Sequence, residues 1–592
     1  DMRERIAGGT LLAVLASLLV TSAPTVSPAA GAPASPSSAA APRTERDGST
    51  AVDEVAVPAV PAFARTHALG TTADPAPVVV ARLTRRDTDE FGLVALTWTQ
   101  GSAGPGTEAR VRVREAGSWS SWQELHYEPS ESPGGAEAAA TGVRDGTEPL
   151  WVGDADGVQV RVLAEPGNAP TDVTLVLIDS AAQPSDAALA QRPGAAYLRN
   201  DLAGLRPTRP MAASGTRSIT TSPGTSTAAR TNGYAYVPKP DLVRRSEWGA
   251  NPVLSGPCDS PRYGETVLAA FVHHTAGSNN YSEGDAPAIV RSVYAYHTQG
   301  RGWCDIGYNF LVDRYGNVYE GRRGGFRRPV RGAHSGDYNT NSVGISLMGN
   351  FELVQPNKRI RGALVRVLAW KLQSNYRAPR ARTWLNGARF RNISGHRDAM
   401  STACPGINVY SRLRDIRARV DNVMGGYDTR IHRRWVEKYG GRTGVLGAPF
   451  VGERKIDDGR GRVTVFEHGR IYSGRGTGAV MVNGRMLASY VSDYDGVDGR
   501  LGYPTIGSQP SSRSGVRTTR FEAGRMFSAK AIGARALWGP ILHRYQRAGG
   551  VNSAMGLPLS KPKRIPGGRR ALFQYAWIYY DRSSDTTSVR YR

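Results

Sequence analysis

Three near-identical turns, spaced almost evenly, constrain the last quarter of this chain more tightly than any other feature. Leu446-Gly447-Ala448-Pro449, Leu501-Gly502-Tyr503-Pro504 and Met555-Gly556-Leu557-Pro558 begin 55 and 54 residues apart. Some 20 residues after each comes an aromatic unit. These are Phe466-Glu467-His468-Gly469-Arg470-Ile471-Tyr472, Phe521-Glu522-Ala523-Gly524-Arg525-Met526-Phe527 and the degenerate Phe573-Gln574-Tyr575-Ala576-Trp577-Ile578-Tyr579. Helical spacing precedes the first and third turns, at 431–441 and 541–550. A fixed period with Gly-Pro turns predicts an array of small repeats over residues 427–592.

At 592 residues the whole chain implies about three to five domains. Hydrophobic residues are 40% and charged residues 21%, which suits globular modules on polar linkers. Three cysteines exclude a disulfide-dense scaffold and any four-cysteine zinc or iron–sulfur site. The single long apolar run, residues 6–20, follows Arg3 and Arg5 and precedes small residues and prolines. A membrane span needs about 20 apolar residues, so the pattern predicts a cleaved secretory signal peptide at 1–32. The expected location is secreted or cell wall, with no membrane span after signal cleavage and with disulfides permitted.

Charge divides the chain. Residues 1–180 carry 13 Arg, no Lys and 23 Asp+Glu, whereas the remainder carries 62 basic and 28 acidic residues. A strongly basic surface seeks a polyanion. With no zinc-finger spacing and no RNA-binding aromatic motif, nucleic acid is not the expected partner; anionic cell-wall polymers are.

Residues 33–73 are Ala/Pro/Ser-rich without apolar periodicity and are expected to be a disordered linker. Residues 74–180 hold short alternating segments such as 93–98, 109–113 and 158–162, which predict an antiparallel β-sandwich-like domain. A Ser/Thr/Pro linker follows at 181–240. Over 241–426 the pattern turns α/β, with strand runs at 268–272, 308–312 and 343–348 and helices at 288–297 and 360–375. The fold class is therefore multidomain, its central module a mixed sheet flanked by helices. Five of the ten histidines lie in that module: His273, His274, His297, His334 and His396. Cys404 follows His396 by eight residues. Imidazole and thiolate are zinc ligands, and three of them with an open fourth position make a catalytic site. No His-Glu-x-x-His helix is present. Spacing alone leaves a core or surface role open for each histidine.

Seven stretches of the central module, in order, resemble the peptidoglycan recognition protein family, whose catalytic members are zinc-dependent type-2 N-acetylmuramoyl-L-alanine amidases. They are Phe271-Val272-His273-His274-Thr275-Ala276-Gly277, Tyr296-His297, Gly302-Trp303-Cys304-Asp305-Ile306-Gly307-Tyr308-Asn309-Phe310-Leu311, Tyr319-Glu320-Gly321-Arg322, Gly332-Ala333-His334, Val343 to Phe351, and Gly395 to Pro405. The opening Arg245-Ser246-Glu247-Trp248-Gly249-Ala250 fits as well. The likeness covers about a third of the chain. The C-terminal repeats resemble the LGFP repeats of actinobacterial exported proteins, a module associated with wall attachment.

Carried over position by position, the resemblance implies Zn2+ held by His273, His396 and Cys404, with Tyr308 and Thr402 in catalytic roles. It implies a groove for peptidoglycan with His274, His297, Arg301, Gly302 and Trp303 as substrate-binding residues. Gly-Trp at 302–303 accompanies diaminopimelate recognition in the family, and Arg301 is expected to pair with a stem carboxylate. One departure is the basic stretch 322–331, which leaves the local groove shape unsettled. With Cys404 as a ligand, Cys258 and Cys304 remain to form a disulfide. The implied activity is hydrolysis of the amide between the lactyl group of N-acetylmuramic acid and L-alanine. The alternative is a non-catalytic wall-binding protein using the same groove, and the intact His/His/Cys set favours the enzyme.

Overall fold

The computed structural model describes residues 50–61, 77–104, 106–127, 132–165, 167–191, 236–255 and 260–592. The signal peptide expected at 1–32 lies outside the described residues, as do most of the 33–73 stretch and residues 192–235 of the second linker. Among the described residues no helix is long and apolar enough to cross a membrane.

The N-terminal domain is an eight-stranded antiparallel sheet. Its central strands, Val78–Thr99 and Leu150–Ala164, pair through several register shifts. Such bulges bend a sheet, and here they let it curl around a core that includes Trp98, Val111, Val160 and Leu175. The sheet takes in more chain than composition suggested. Strand Ala51–Ala56, inside the stretch expected to be disordered, pairs with Thr174–Asp179 at the sheet edge. Alanine and proline around it mask the valines, of which Val55, Val57 and Val60 are buried. A partner more than 100 residues away supplies the order that local pattern does not reveal.

The central module is a six-stranded mixed sheet with the order Ile393–Gly395, Ala269–His274, Ser342–Leu347, Phe310–Val312, Val318–Glu320, Leu242–Val243. Helices Lys358–Ser374 and Leu413–Met424 cover one face, burying Leu364, Val367, Leu368, Ile416 and Val420 against Val272, Phe310 and Ile345. Asn357 starts the first of these by accepting the N–H groups of Arg359 and Ile360, as an N-cap side chain should. The other face carries helix Ala286–Ala295, continued by a π-helical turn over Tyr296–Gly300. That helix also receives the outer face of the N-terminal sheet. Leu93, Ala95, Val176 and Ile178 share one apolar cluster with Ile289, Val290 and Val293. The two modules are therefore fused through a common core.

A short helix, Pro184–Ala190, interrupts the stretch expected to be a linker. Its Asp186 is buried against Arg291, with Nη–O distances of 3.0 and 2.7 Å. C-terminal to the central module stand three units. Each is a helix, Arg430–Tyr439, Gly484–Ser492 or Gly539–Arg547, followed by a four-stranded antiparallel meander. The degenerate third copy thus folds as the first two do. Each turn glycine (Gly447, Gly502, Gly556) has positive φ, where a side chain would be strained. Each turn then receives the same two contacts. Glu467, Glu522 and Gln574 accept the N–H after the glycine, at 3.1, 3.0 and 2.8 Å. Trp435, Tyr490 and Tyr545 of the preceding helices donate to the glycine carbonyl, at 3.1, 2.7 and 3.0 Å.

Candidate metal centre and groove

Strand alternation separates the two adjacent histidines. Along Ala269–His274, residues 269, 271 and 273 face one side and 270, 272 and 274 the other. Val272 pairs in parallel register with Gly395, so His273 and His396 leave the carboxyl ends of neighbouring strands side by side. Their ring centroids lie 4.5 Å apart. The loop after His396 returns Cys404 to the same point. Asp398 holds that loop by accepting the Gly395 N–H at 3.0 Å and the Tyr410 hydroxyl at 2.6 Å. Arg397 reaches Glu352 at 2.8 Å and the Ala403 carbonyl.

One ligand atom each from His273, His396 and Cys404 lies within 4.8 Å of the others, and all three residues are buried. Cys404 Sγ is 3.7 Å from His273 Nδ1. Tetrahedral zinc with ordinary Zn–N and Zn–S lengths sets such an edge at about 3.6 Å, so the donor set fits the metal. On the far side of the ring, His273 Nε2 is 3.1 Å from His334 Nδ1, which also meets Ser335 Oγ at 3.0 Å. A second partner of this kind fixes which nitrogen a histidine turns to a metal. Burial first, then the neighbouring His396, His334 and His274, hold the His273 pKa well below its ordinary value. The ring is therefore neutral and available as a ligand. The backbone N–H of His274 points at Cys404 Sγ at 3.4 Å.

The other expected site residues divide. Tyr308 is brought to the centre, its ring centroid 5.4 Å from that of His273. Thr402 is half-buried beside it, and its hydroxyl accepts the Cys404 N–H at 2.8 Å, so it shapes the ligand loop. His274 turns away to accept the Phe351 N–H at 3.1 Å. His297 is buried, accepts the Gly307 N–H at 3.2 Å and stacks on Trp303 with centroids 4.5 Å apart. Gly302 has a φ of +67°, and Trp303 has no exposed surface. Arg301 is buried and faces residues 144–146 of the N-terminal domain. Its guanidinium lies over Trp303 and donates to the carbonyls of Arg144 and Gly146 of the N-terminal domain, at 2.8 and 3.5 Å. Tertiary contact with a distant domain has captured a side chain whose place in the motif suggested substrate. Cys304 is disulfide-bonded and Cys404 is a free thiol; Cys258 lies outside the described residues.

Two contributors carry roles that the sequence did not assign them. His334 supports His273, and its signal was its place in Gly332-Ala333-His334. Arg322, at the end of the Tyr319-Glu320-Gly321-Arg322 motif, is buried and holds the carboxylate of Glu137 from the N-terminal domain.

Sequence profiles of three families match the chain. The N-acetylmuramoyl-L-alanine amidase family covers residues 263–407. The Rv3811 N-terminal galactose-binding domain-like family covers 35–188. LGFP repeats cover 446–493 and 501–553. Peptidoglycan-recognition protein SC1a/b of Drosophila simulans is 34% identical over 181 residues, 29% of this chain and 84% of that protein. Peptidoglycan recognition protein 1 of Mus musculus is 38% identical over 175 residues, 28% of this chain and 84% of that protein. Among solved structures, Drosophila peptidoglycan recognition protein SD aligns at 28% identity with a TM-score of 0.25. That alignment covers 29% of this chain and 93% of the other. Through its central module the chain belongs to the peptidoglycan recognition protein family, and it carries LGFP repeats on the C-terminal side of that module.

Proposed function

We propose that the chain is a secreted zinc-dependent N-acetylmuramoyl-L-alanine amidase that cuts between the lactyl group of N-acetylmuramic acid and L-alanine in peptidoglycan. The observation that carries this reading is the buried His273, His396 and Cys404 trio, whose donor spacing suits zinc. When bound, the metal would supply Lewis acidity for the scissile carbonyl and an attacking water. His334 keeps the His273 ring in the orientation that frees Nδ1. The His274 N–H steadies the Cys404 thiolate, and Thr402 fixes the backbone that carries it. Tyr308, its ring centroid 5.4 Å from that of His273, offers a hydroxyl to stabilise an oxyanion. The Gly302-Trp303 pair makes a diaminopimelate stem the preferred substrate, Cys258 and Cys304 form the disulfide, and the repeats hold anionic wall polymers.

The test is mass analysis of what the full chain releases from purified walls, with and without a zinc chelator. Free stem peptides beginning with L-alanine, released only with metal, support the reading. Binding to walls without release of any peptide overturns it in favour of a wall-binding protein.

A further inference from the structure

Residues 132–149 of the N-terminal domain run along the face of the central module that carries Gly302, Trp303 and Arg322. At one end the Ser132 carbonyl accepts the Gly336 N–H at 3.2 Å, and the Asn339 amide donates to the carbonyls of Ser132 and Pro133 at 3.3 and 3.0 Å. Arg331 donates to the carbonyls of Pro133 and Gly134 at 3.3 and 3.0 Å. In the middle, Arg322 Nη2 meets both oxygens of Glu137 at 2.5 and 2.6 Å, and the Cys304 N–H donates to the same carboxylate at 3.1 Å. Neither side chain of that pair is more than 8% exposed. Val143 and Ala140 close on Trp303 and Ala333 in one small apolar cluster. The Gly142 carbonyl stands so near Gly302 that a Cβ there would lie 2.4 Å from it. At the far end Tyr296 donates to the Thr147 carbonyl at 2.6 Å. The Pro149 carbonyl comes within 3.2 Å of where a Cβ on Gly277 would sit, three residues past His274.

One continuous segment thus touches the His334 loop, the Gly302-Trp303 pair and the loop after His274. Its interface is built like an interior, with a buried charge pair, satisfied backbone groups and an apolar centre. An extended ligand lying on Gly302 and Trp303 and a segment 132–149 lying there exclude each other sterically. An acidic ligand would in addition have to take Arg322 from Glu137.

We infer that the N-terminal domain is an inhibitor of the chain's own central module, with residues 132–149 occupying the groove and Glu137 holding Arg322 in place of an anionic ligand. Peptidoglycan binds by displacing this segment, and apparent affinity falls by the fraction of molecules that are open. The occlusion rests on the reading of Gly302 and Trp303 as groove residues; it does not depend on whether the module cleaves what it binds.

The test uses the full chain, with a soluble muramyl tripeptide ending in diaminopimelate as probe and both binding and hydrolysis as readouts. Two variants loosen different parts of the contact. Glu137→Gln removes the charge but keeps the volume, and Val143→Asp puts a charge against Trp303. Melting curves establish that each is folded. Each is expected to bind the peptide at least tenfold more tightly than wild type. Tighter binding with faster hydrolysis supports both readings. Tighter binding without hydrolysis supports the occlusion and removes the amidase. Equal binding in wild type and both folded variants overturns the occlusion, whatever the rate of hydrolysis.

Discussion

Cys404 stands where three contacts meet: His273 Nδ1 beside its sulfur, the His274 N–H aimed at it, and Thr402 capping its backbone. A serine keeps the size but offers a poor ligand for zinc. Cys404→Ser is expected to reduce bound zinc far below one per chain and to abolish wall cleavage, while the repeats stay folded. Metal analysis of the purified variant beside a muropeptide assay checks it. Lys371 makes a different demand. It is buried, donates to the Phe326 carbonyl at 3.1 Å, and burial followed by the nearby Arg327 lowers its pKa from 10.5 to about 7. Between those values the unfolded chain binds more protons than the folded one, so stability rises with pH across that window. Lys371→Met should add about 1–3 kcal/mol near pH 7, and the gain should shrink as pH approaches 10. Thermal melts at several pH values read this directly. The clustering of His273, His396 and Cys404 was legible because metal chemistry restricts residue type and the motif restricts order. Arg301 was not, because what claims its guanidinium lies about 155 residues away.

At the scale of elements, the strongest cross-tie joins helix Pro184–Ala190 to helix Ala286–Ala295. Arg291 donates to Asp186, to the Trp248 carbonyl and to the Ala181 carbonyl. Deleting one partner leaves a buried charge uncompensated. Asp186→Ala should cost about 3–5 kcal/mol, seen as a lower denaturant midpoint. Regular elements with their own periodicity were readable. Helix Lys358–Ser374 and strand Ser342–Leu347 fall within two residues of expectation. Elements ordered by distant partners were not. Strand Ala51–Ala56 reads Ala-Val-Asp-Glu-Val-Ala, whose two valines are three apart and do not alternate. Helix Gly484–Ser492 is short, and its core-facing apolar residues, Met486, Leu487 and Tyr490, span barely more than one turn.

For the molecule as a whole, the array is not a loose tail. Its first unit shares a core with Tyr376 of the central module, whose hydroxyl meets Glu453 and Thr464 at 2.9 and 2.7 Å. A cut at the end of the central module would expose that tyrosine, and a cut after the first unit exposes Val463 and Tyr472, so the truncation that removes 484–592 is used once a melting curve shows it folded. That form should cleave soluble muropeptides as the full chain does but wash from whole walls at lower salt. Co-sedimentation over a salt series measures it, and identical elution of the two forms would remove the anchoring role of the later units. The recurring helix-to-glycine bond has a mechanical side. Each unit is closed on itself by its Trp435, Tyr490 or Tyr545, yet Tyr503 also reaches back to Asp458 of the unit before. Tension along such a chain loads these joints in series. A unit that gives way pays out some 54 residues, about 180 Å of slack, and strips its neighbours of the apolar clusters they share with it. A molecule held at its central module and pulled at its array would lengthen before it let go.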